Sequence, residues 1–284
     1  MSPRSDLADL KNAAIDLADQ AGVEIRALHG YQETGMAADV FARVWGRNTT
    51  PVPSELGVAF VESGNYAVGA FAEGTLIGAT IGFLGWHEGT IHLHSHITGV
   101  VAEARGHHIG TALKLHQAVW AARRNIDRIT WSFDPLLRRN ASFNLNSLGA
   151  RPVAYRENLY GPLEDRFSAR EESDRILVDW YPTGPEATAA RAGSVPFPDA
   201  EALIAGGAVA VLRDRDGPVV APGQTDVLCV QIPDDIVTLR NRTSHIAGAW
   251  RDALRATLET ALHRGYVIKG FDPTGWYILE RSSS

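Results

Sequence analysis

The chain has 284 residues, enough for one large domain or two modest ones, and its 45% hydrophobic and 21% charged residues are typical of a globular protein. Its formal net charge of −6 gives a nucleic-acid partner no electrostatic support. No apolar run approaches the roughly 20 residues that span a bilayer, and the N-terminus lacks the apolar core of a signal peptide, so we expect no membrane partner and a cytoplasmic location. The lone Cys229 excludes an intrachain disulfide, and its apolar surroundings predict a buried, inert thiol.

Hydrophobic spacing predicts helices and strands in alternation through the first two thirds of the chain. A helix over residues 5–21 ends at Gly22, and another is expected to begin near Ser54, a candidate N-cap. The remaining elements, in chain order, are a strand Val23–Leu28, a helix Tyr31–Trp45, strands Tyr66–Ala72 and Thr75–Trp86 joined at Glu73-Gly74, a strand 92–101, a helix from His108 to Arg124, a strand Asn125–Phe133, a helix 139–148, and strands 150–160 and 174–181.

Residues 182–198 are rich in Pro, Gly, Ala and Ser, which is typical of a linker. Strands near 208–213 and 226–232, a helix from about Asp234 to His263 and a hairpin 266–271/275–281 follow. We therefore expect an added helix (1–22), a first domain (23–182), a linker (183–198) and a smaller C-terminal α/β extension (199–284). The extension has little periodic surface, so we expect it to dock on the first domain or to form a homodimer.

The segment His92–Leu113 combines a strand, a glycine-containing turn and the start of a helix. Alternation predicts that one strand face carries His92, His94, His96 and Thr98. Gly106 and Gly110 lie at the helix start, where free backbone N–H groups and the helix dipole favour a phosphate or pyrophosphate. The alternative is a plain turn.

The sequence Arg105-Gly106-His107-His108-Ile109-Gly110 resembles the R/Q-x-x-G-x-G/A signature of the GNAT superfamily of acyl-CoA-dependent N-acyltransferases. His108 replaces the first glycine, which is compatible with the motif if its φ is ordinary. Residues 138–150 resemble the second signature, N-x-x-A-x-x-L-Y-x-x-x-G-F, and the match covers roughly residues 24–182. The resemblance implies an α/β (α+β) fold with a mixed sheet and helices on both faces. It also implies a CoA cleft where strands 92–101 and 127–133 splay apart.

The same resemblance implies acetyl-CoA, or another acyl-CoA, as co-substrate; we expect no metal. The strand would pair with the pantetheine arm, the loop amides would bind the pyrophosphate, and the second signature would contact the CoA arm. The residues implied are Val100, Val101, Arg105, Gly106, His107, His108, Ile109, Gly110, Thr111, Asn140 and Phe143. Arg138 or Arg139 could reach CoA phosphates, or simply begin an exposed helix.

Acyl transfer to an amine needs a proton acceptor near neutrality, and histidine is best matched to that role. His96 is the first candidate for the base and His94 the second, because they resemble the paired histidines of arylalkylamine acetyltransferases. Alternatively, the histidines only form hydrogen bonds in a polar crevice. Two of them could also bind a metal with Glu88 or Asp134, although a spacing of ~6.6–7 Å is wide for three ligands of one ion.

The family often uses a tyrosine as the acid that protonates the leaving thiolate, but Leu145 occupies that position. Tyr155 is our candidate for the acid, with Tyr160 as a substitute; otherwise the thiolate leaves unprotonated or takes a proton from water. The acceptor is expected to be a small-molecule amine, and an apolar acceptor pocket could be lined by Trp86, His87, Trp131 and Phe133.

The sequence thus predicts an acyl-CoA-dependent, acetyl-transferring N-acyltransferase. The alternative is a catalytically inactive GNAT-like scaffold or regulatory module that binds acyl-CoA, which the missing tyrosine and the C-terminal extension favour. A metal-dependent enzyme built on the histidine strand comes third.

Overall fold

The computed structural model describes residues 3–46, 51–194 and 196–282. The chain divides into two compact units. Unit 1 comprises Met1–Trp131 and Trp180–Pro185, and unit 2 comprises Ser132–Asp179 and Glu186–Ser284. These units divide the chain differently from the four segments expected from the sequence, whose boundaries stay a prediction. Across the described ranges, none of the helices combines the length and the apolar character needed to cross a bilayer.

Unit 1 is a mixed sheet with helices. Its strands lie in the order β1-β2-β3-β4-β5, with antiparallel neighbours except for the parallel pair β4 and β5. In chain order its elements are α1 (Pro3–Gln20), β1 (Glu24–Ala27), α2 (Gly30–Trp45), α3 (Ser54–Glu62), β2 (Tyr66–Ala72), β3 (Thr75–His87), β4 (Thr90–Val100), a 3₁₀ turn (Ala102–Ala104), α4 (Ile109–Ala122) and β5 (Ile129–Phe133, of which residues 129–131 belong to unit 1). The mixed α/β fold predicted from the sequence is confirmed.

Helices cover both faces of this sheet. A Cβ built on Gly78 of β3 would lie 3.3 Å from Leu113 of α4, whereas one built on Gly99 of β4 would lie 2.8 Å from Trp45 of α2. Gly99 pairs with Ala79, the neighbour of Gly78, and adjacent strand residues face opposite sides. Helices α2 and α4 therefore pack on opposite faces, as the sequence predicts.

Strand β4 contains a β-bulge at His96. Ile97 pairs with Ile81 of β3 and Ser95 pairs with Gly82, which leaves His96 as the extra residue. Ser95 consequently faces α4, where Lys114 binds it, although Gly99, four residues later, faces α2. The prediction that Thr98 shares a face with His94 is therefore wrong, because the bulge shifts the alternation by one residue.

Unit 2 contains a hairpin and a second, five-stranded sheet in the order β11-β12-β10-β8-β9. Its elements are α5 (Arg138–Ser142) with a π-helical continuation (Phe143–Ser147), β6 (Arg151–Arg156), β7 (Arg175–Trp180, of which Trp180 belongs to unit 1), α6 (Pro185–Arg191, of which Pro185 belongs to unit 1), α7 (Ala200–Ala205), β8 (Val209–Asp214), β9 (Pro218–Val220), β10 (Val227–Gln231), α8 (Ile236–Arg242), α9 (Ser244–His263), β11 (Tyr266–Asp272) and β12 (Trp276–Arg281). The smaller C-terminal α/β region is thus confirmed as an architectural feature.

Several helix boundaries differ from the predictions. The expected linker contains α6, which begins at Pro185, because proline at the first helical position needs no N–H partner. The long helix expected from Asp234 is two helices separated at Thr243, whose φ of −143° is not helical. Ser54 is the first residue of α3 rather than its N-cap, which is Pro53.

The second-signature segment and the C-terminal region share one core within unit 2. The amide of Asn146 donates to the Phe271 carbonyl at 2.8 Å, and the Tyr277 hydroxyl donates to the Pro135 carbonyl at 2.7 Å. The Arg138 guanidinium donates to the carbonyls of Ile232 and Pro233 at 2.8 and 3.0 Å. The C-terminal residues are therefore built around the segment that carries the second signature.

Candidate functional site

The start of α4 has an unusual backbone conformation. His108 is the N-cap and has a φ of +59°, in the left-handed region that favours glycine. The condition set above, an ordinary φ at His108, is therefore not met: histidine here adopts a conformation that glycine adopts readily. Histidine is among the residues that tolerate this region best, which accounts for the substitution.

The first backbone amides of α4 are left uncapped. Ala112 donates to the His108 carbonyl, so the first intrahelical bond leaves the amides of Ile109, Gly110 and Thr111 outside the helical ladder. No side chain of the described residues caps this helix start. The exposed Gly106, with a φ of +91°, has no atom within 4 Å of a built Cβ. These amides, with the positive end of the helix dipole, form a surface that can receive an anion.

Two exposed histidines and a half-buried arginine precede these amides. His107 and His108 are both exposed, and Arg105 makes contacts of its own within the protein. The motif residues predicted to bind the pyrophosphate are thus contiguous around one helix start. Their role as ligands stays a prediction.

The edge of β4 that faces β5 is paired only briefly. The parallel register joins Leu93 to Ile129 and His94 to Thr130. Further along, the Val101 amide donates to the Ile77 carbonyl at 3.0 Å, so that N–H is engaged with β3. Backbone groups alternate along a strand, so those of Val100 face the opposite edge, toward β5. Of the two valines predicted to pair with pantetheine, only Val100 has its backbone groups on that edge.

His94 and His96 form the centre of an aromatic cluster. Their ring centroids are 6.4 Å apart, and the Phe83 ring lies 5.1 Å from His94 and 5.8 Å from His96. Phe60 of α3 stacks on Phe83 at 5.8 Å. The His94 Nδ1 atom is 3.1 Å from the hydroxyl of Thr130 in β5. The bulge leaves His96 exposed, whereas His94 is half-buried.

Both imidazoles are neutral near pH 7. Burial, with smaller contributions from the charges of His96, His92 and Lys114, lowers the pKa of His94 from 6.5 to about 4. Desolvation also lowers the pKa of His96. A neutral imidazole has one unprotonated ring nitrogen, so each of these side chains can accept a proton.

The third histidine of the strand lies apart from this cluster. His92 packs over Gly85, and its Nδ1 atom is 3.4 Å from Nη2 of Arg128. Within residues 3–46, 51–194 and 196–282, no three His, Cys, Asp or Glu side chains are grouped so that they could hold a metal ion. The alternative of a metal site on this strand therefore gains no support.

The predicted residues of the second signature lie in unit 2. Asn140 and Phe143 are half-buried on α5 and its π-helical continuation. Arg138 is occupied by the two carbonyls described above and by an ion pair with Asp234, so its guanidinium is engaged within the protein. Arg139 is exposed. Contact of Asn140 and Phe143 with the CoA arm stays a prediction.

The candidate acid Tyr155 is held in an ionic cluster of unit 2. Its hydroxyl donates to Asp174 at 2.6 Å, and Asp174 also accepts two hydrogen bonds from Arg255. Burial and the neighbouring Asp174 carboxylate raise the pKa of Tyr155 above its usual value. These contacts favour a structural role. Tyr160, the substitute, is 49% exposed, and its hydroxyl lies 3.2 Å from that of Ser132.

The aromatic residues suggested for an acceptor pocket are dispersed. Trp131 and Phe133 are buried in the core, whereas Trp86 is 70% exposed and His87 is also exposed. The aromatic ring next to both His94 and His96 is that of Phe83 instead, and Phe60 stacks on Phe83. Sequence reasoning missed both, because phenylalanines at these spacings look like ordinary core residues.

A cavity of about 780 Å³ lies in unit 2 beside α7. Its walls include Pro198, Leu203, Val227, Lys269 and Ile278. None of the predicted site residues lines this cavity, so it does not coincide with the predicted chemistry.

Comparison with known proteins identifies similar folds but no sequence relative. No protein-family model matches the chain, and no curated protein matches its sequence. Among solved structures, the chain is similar in fold to GNAT acetyltransferases. A putative acetyltransferase of the GNAT family from Desulfovibrio desulfuricans has 14% identity over 56% of this chain and 98% of its own, with a TM-score of 0.45.

Two further structures match over the same share of this chain. Arabidopsis thaliana Naa50, in complex with the bisubstrate analogue CoA-Ac-MVNAL, has 17% identity over 97% of its own length, with a TM-score of 0.45. The ribosomal-protein-S18-alanine N-acetyltransferase of Escherichia coli has 14% identity over 93% of its length, with a TM-score of 0.46. Because this likeness is one of fold alone, the function proposed next depends on the residues of this chain.

Proposed function

We propose that this protein is an acyl-CoA-dependent N-acyltransferase that transfers an acetyl group to a small-molecule amine, with a histidine as base. One observation carries the proposal: the uncapped start of α4 directly follows the strand that bears two neutral histidines. The amides of Ile109, Gly110 and Thr111 would bind the pyrophosphate of CoA. The free edge of β4 at Val100 would bind the pantetheine arm.

In this reaction the amine attacks the thioester carbonyl, a C–N bond forms, and the C–S bond breaks. His96 accepts the proton that the attacking amine loses, either directly or through water, because the bulge leaves its ring accessible. His94 is the second candidate, held by Thr130. Since Leu145 cannot donate a proton and the Tyr155 hydroxyl is bound to Asp174, we propose that the leaving thiolate takes its proton from water.

The same two observations on Leu145 and Tyr155 favour a second candidate function. A protein without a suitable acid could bind acyl-CoA as a scaffold or regulatory module without turnover. This alternative predicts CoA binding but no release of free thiol.

The test combines calorimetry with CoA and acetyl-CoA and an assay of thiol release across a panel of small amines. We expect both nucleotides to bind and at least one amine to be acetylated. His96→Ala should lower kcat by about 10²–10⁴-fold, the usual range for a general base. His245→Ala, at an exposed histidine of α9, is the matched control and should leave kcat unchanged.

Each other outcome has a distinct meaning. Binding without thiol release would favour the scaffold, and absence of CoA binding would refute both candidates. If His96→Ala and His94→Ala both retained full turnover, the histidine base would be wrong.

A further inference from the structure

A buried lysine lies where β4 and β5 separate. Their last residue pair joins His94 and Thr130, so Ser95 and Trp131 are the first residues beyond the paired segment. The Lys114 ammonium of α4 donates to the Ser95 hydroxyl at 2.8 Å and lies 3.7 Å from the centroid of the Trp131 ring. One ammonium group therefore contacts both strands at the point where they part.

The surroundings of this ammonium are neutral. Lys114 is 4% exposed, and its remaining hydrogen bond is to Oε1 of Gln117 at 3.3 Å. No carboxylate of the described residues forms an ion pair with it. Burial lowers the pKa of Lys114 from 10.5 to about 7.

Stability alone does not account for a lysine at this position. Removing an ammonium from water carries a desolvation cost, and apolar side chains of similar volume often replace buried charges without loss of stability. Gln117 is fully buried as well, and its Nε2 atom has no hydrogen-bond partner among the described residues. Two polar side chains of α4 thus lie at a sheet face where methionine or leucine would pack at lower cost.

The position of Ser95 connects this contact to the candidate base. Ser95 lies between His94 and His96, and its side chain points toward α4 while the imidazoles point to the opposite face. The bulge begins at the next residue. A hydrogen bond that holds Ser95 from one side therefore fixes where both imidazoles lie on the other.

We infer that Lys114 is a positioning residue for the proposed acyl transfer. By bridging Ser95 and Trp131, its ammonium fixes where β4 and β5 separate, and hence the free edge of β4 on which the acyl-CoA arm and the histidines meet. The inference depends on the proposed function for its catalytic consequence. Its structural consequence, a defined separation of β4 and β5, does not depend on the proposed function.

The test compares Lys114→Met, which keeps the length of the side chain and removes the ammonium, with Ser95→Ala, which removes the acceptor. We expect both variants to unfold in urea as cooperatively as the native chain. Both should bind CoA at least tenfold more weakly and show a lower kcat, and the double variant should be no worse than either single one. Ser95→Thr keeps the hydroxyl and should restore affinity, and Lys11→Met, at an exposed lysine of α1, should have no effect.

Backbone hydrogen exchange supplies a readout that needs neither CoA nor an acceptor. In Lys114→Met the amides of residues 95–99 should exchange at least tenfold faster than in the native chain, while those of β2 keep their rates. Unchanged exchange would overturn the inference even if the native protein bound no CoA. Native CoA affinity together with a native kcat in Lys114→Met would overturn the inference as well. Failure of the native chain to bind CoA would instead refute the proposed function.

Discussion

The two imidazoles at the candidate site differ in their surroundings although they are two residues apart. His94 is half-buried and fixed by the Thr130 hydroxyl, whereas His96, the extra residue of the bulge, is exposed. An accessible imidazole such as His96 can contact the substrate amine, whereas a fixed imidazole such as His94 can relay a proton. This difference explains why we assign the base to His96 before His94.

The lowered pKa values of these histidines predict an unusual pH profile. The base is active when neutral, and the pKa of His94 is about 4, with that of His96 also below 6.5. We therefore expect kcat/KM to hold as the pH falls through 6.5 and to decline only at lower pH. Steady-state rates between pH 4.5 and 8 would measure this, and an acidic limb centred at 6.5 or above would contradict it.

The left-handed conformation of His108 predicts how this position responds to substitution. His108→Gly should change the free energy of unfolding by no more than about 1 kcal/mol, because glycine adopts a positive φ without strain. His108→Val should destabilise the protein by roughly 1–2 kcal/mol, since a β-branched residue is strained there. Urea unfolding of the two variants, side by side, would decide; equal stabilities would speak against a strained backbone.

Among the elements, hydrophobic spacing alone predicts those whose buried residues follow a regular period. The hairpin of β2 and β3, the helices α2 and α4, and the final hairpin appear close to the predicted boundaries. The bulge in β4 was not predictable, because the alternating histidines read as a regular strand. Only the register with β3 shows that His96 has no partner.

The predicted helix boundaries in unit 2 are wrong for a related reason. Nothing in the sequence around Thr243 is a glycine or proline, so the apolar period continues through the break between α8 and α9. The Asp235 side chain caps α8 through the Thr238 amide, and that cap could have been recognised. The position of Lys114 beside Leu113 gave no comparable signal for its contacts with β4 and β5.

The buried arginine of α8 predicts a large effect on stability. Arg240 is 5% exposed and binds Asp134 at 2.7 Å and Glu171 at 3.0 Å. Arg240→Met should lower the free energy of unfolding by about 3–5 kcal/mol, because it leaves two carboxylates with little solvent and no counter-ion.

The neighbouring Arg242 is the matched control. It is exposed on the same helix, so Arg242→Met should change stability by no more than about 0.5 kcal/mol. Urea unfolding of both variants would measure the difference. Similar losses in the two would show that the buried ion pairs do not matter for stability.

For the molecule as a whole, hydrophobic spacing predicts most elements but not which of them pack together. The partners of the second-signature segment lie far along the chain: Tyr277 binds the Pro135 carbonyl, and Phe271 accepts from Asn146. Contacts between residues more than 100 positions apart leave no periodic pattern in the sequence. The predicted boundary after residue 182 therefore rests on composition alone.

These contacts predict that a chain ending at residue 182 does not fold natively. The truncation removes the partners of Pro135 and Asn146 and exposes buried residues such as Leu136 and Leu148. We expect it to unfold in urea without a cooperative transition, whereas the full chain should show one. A dispersed amide NMR spectrum and a sharp transition for the truncated chain would contradict this.

The bulge at His96 gives β4 one residue more than regular pairing with β3 needs. Replacing His96 removes one imidazole and leaves every later side chain in place. Deleting it would leave Ser95 opposite Gly82 and Ile97 opposite Ile81, so pairing with β3 would become regular while Gly99 stays against Trp45. Selection for folding alone should thus tolerate a single-codon deletion at His96 about as well as a point change there.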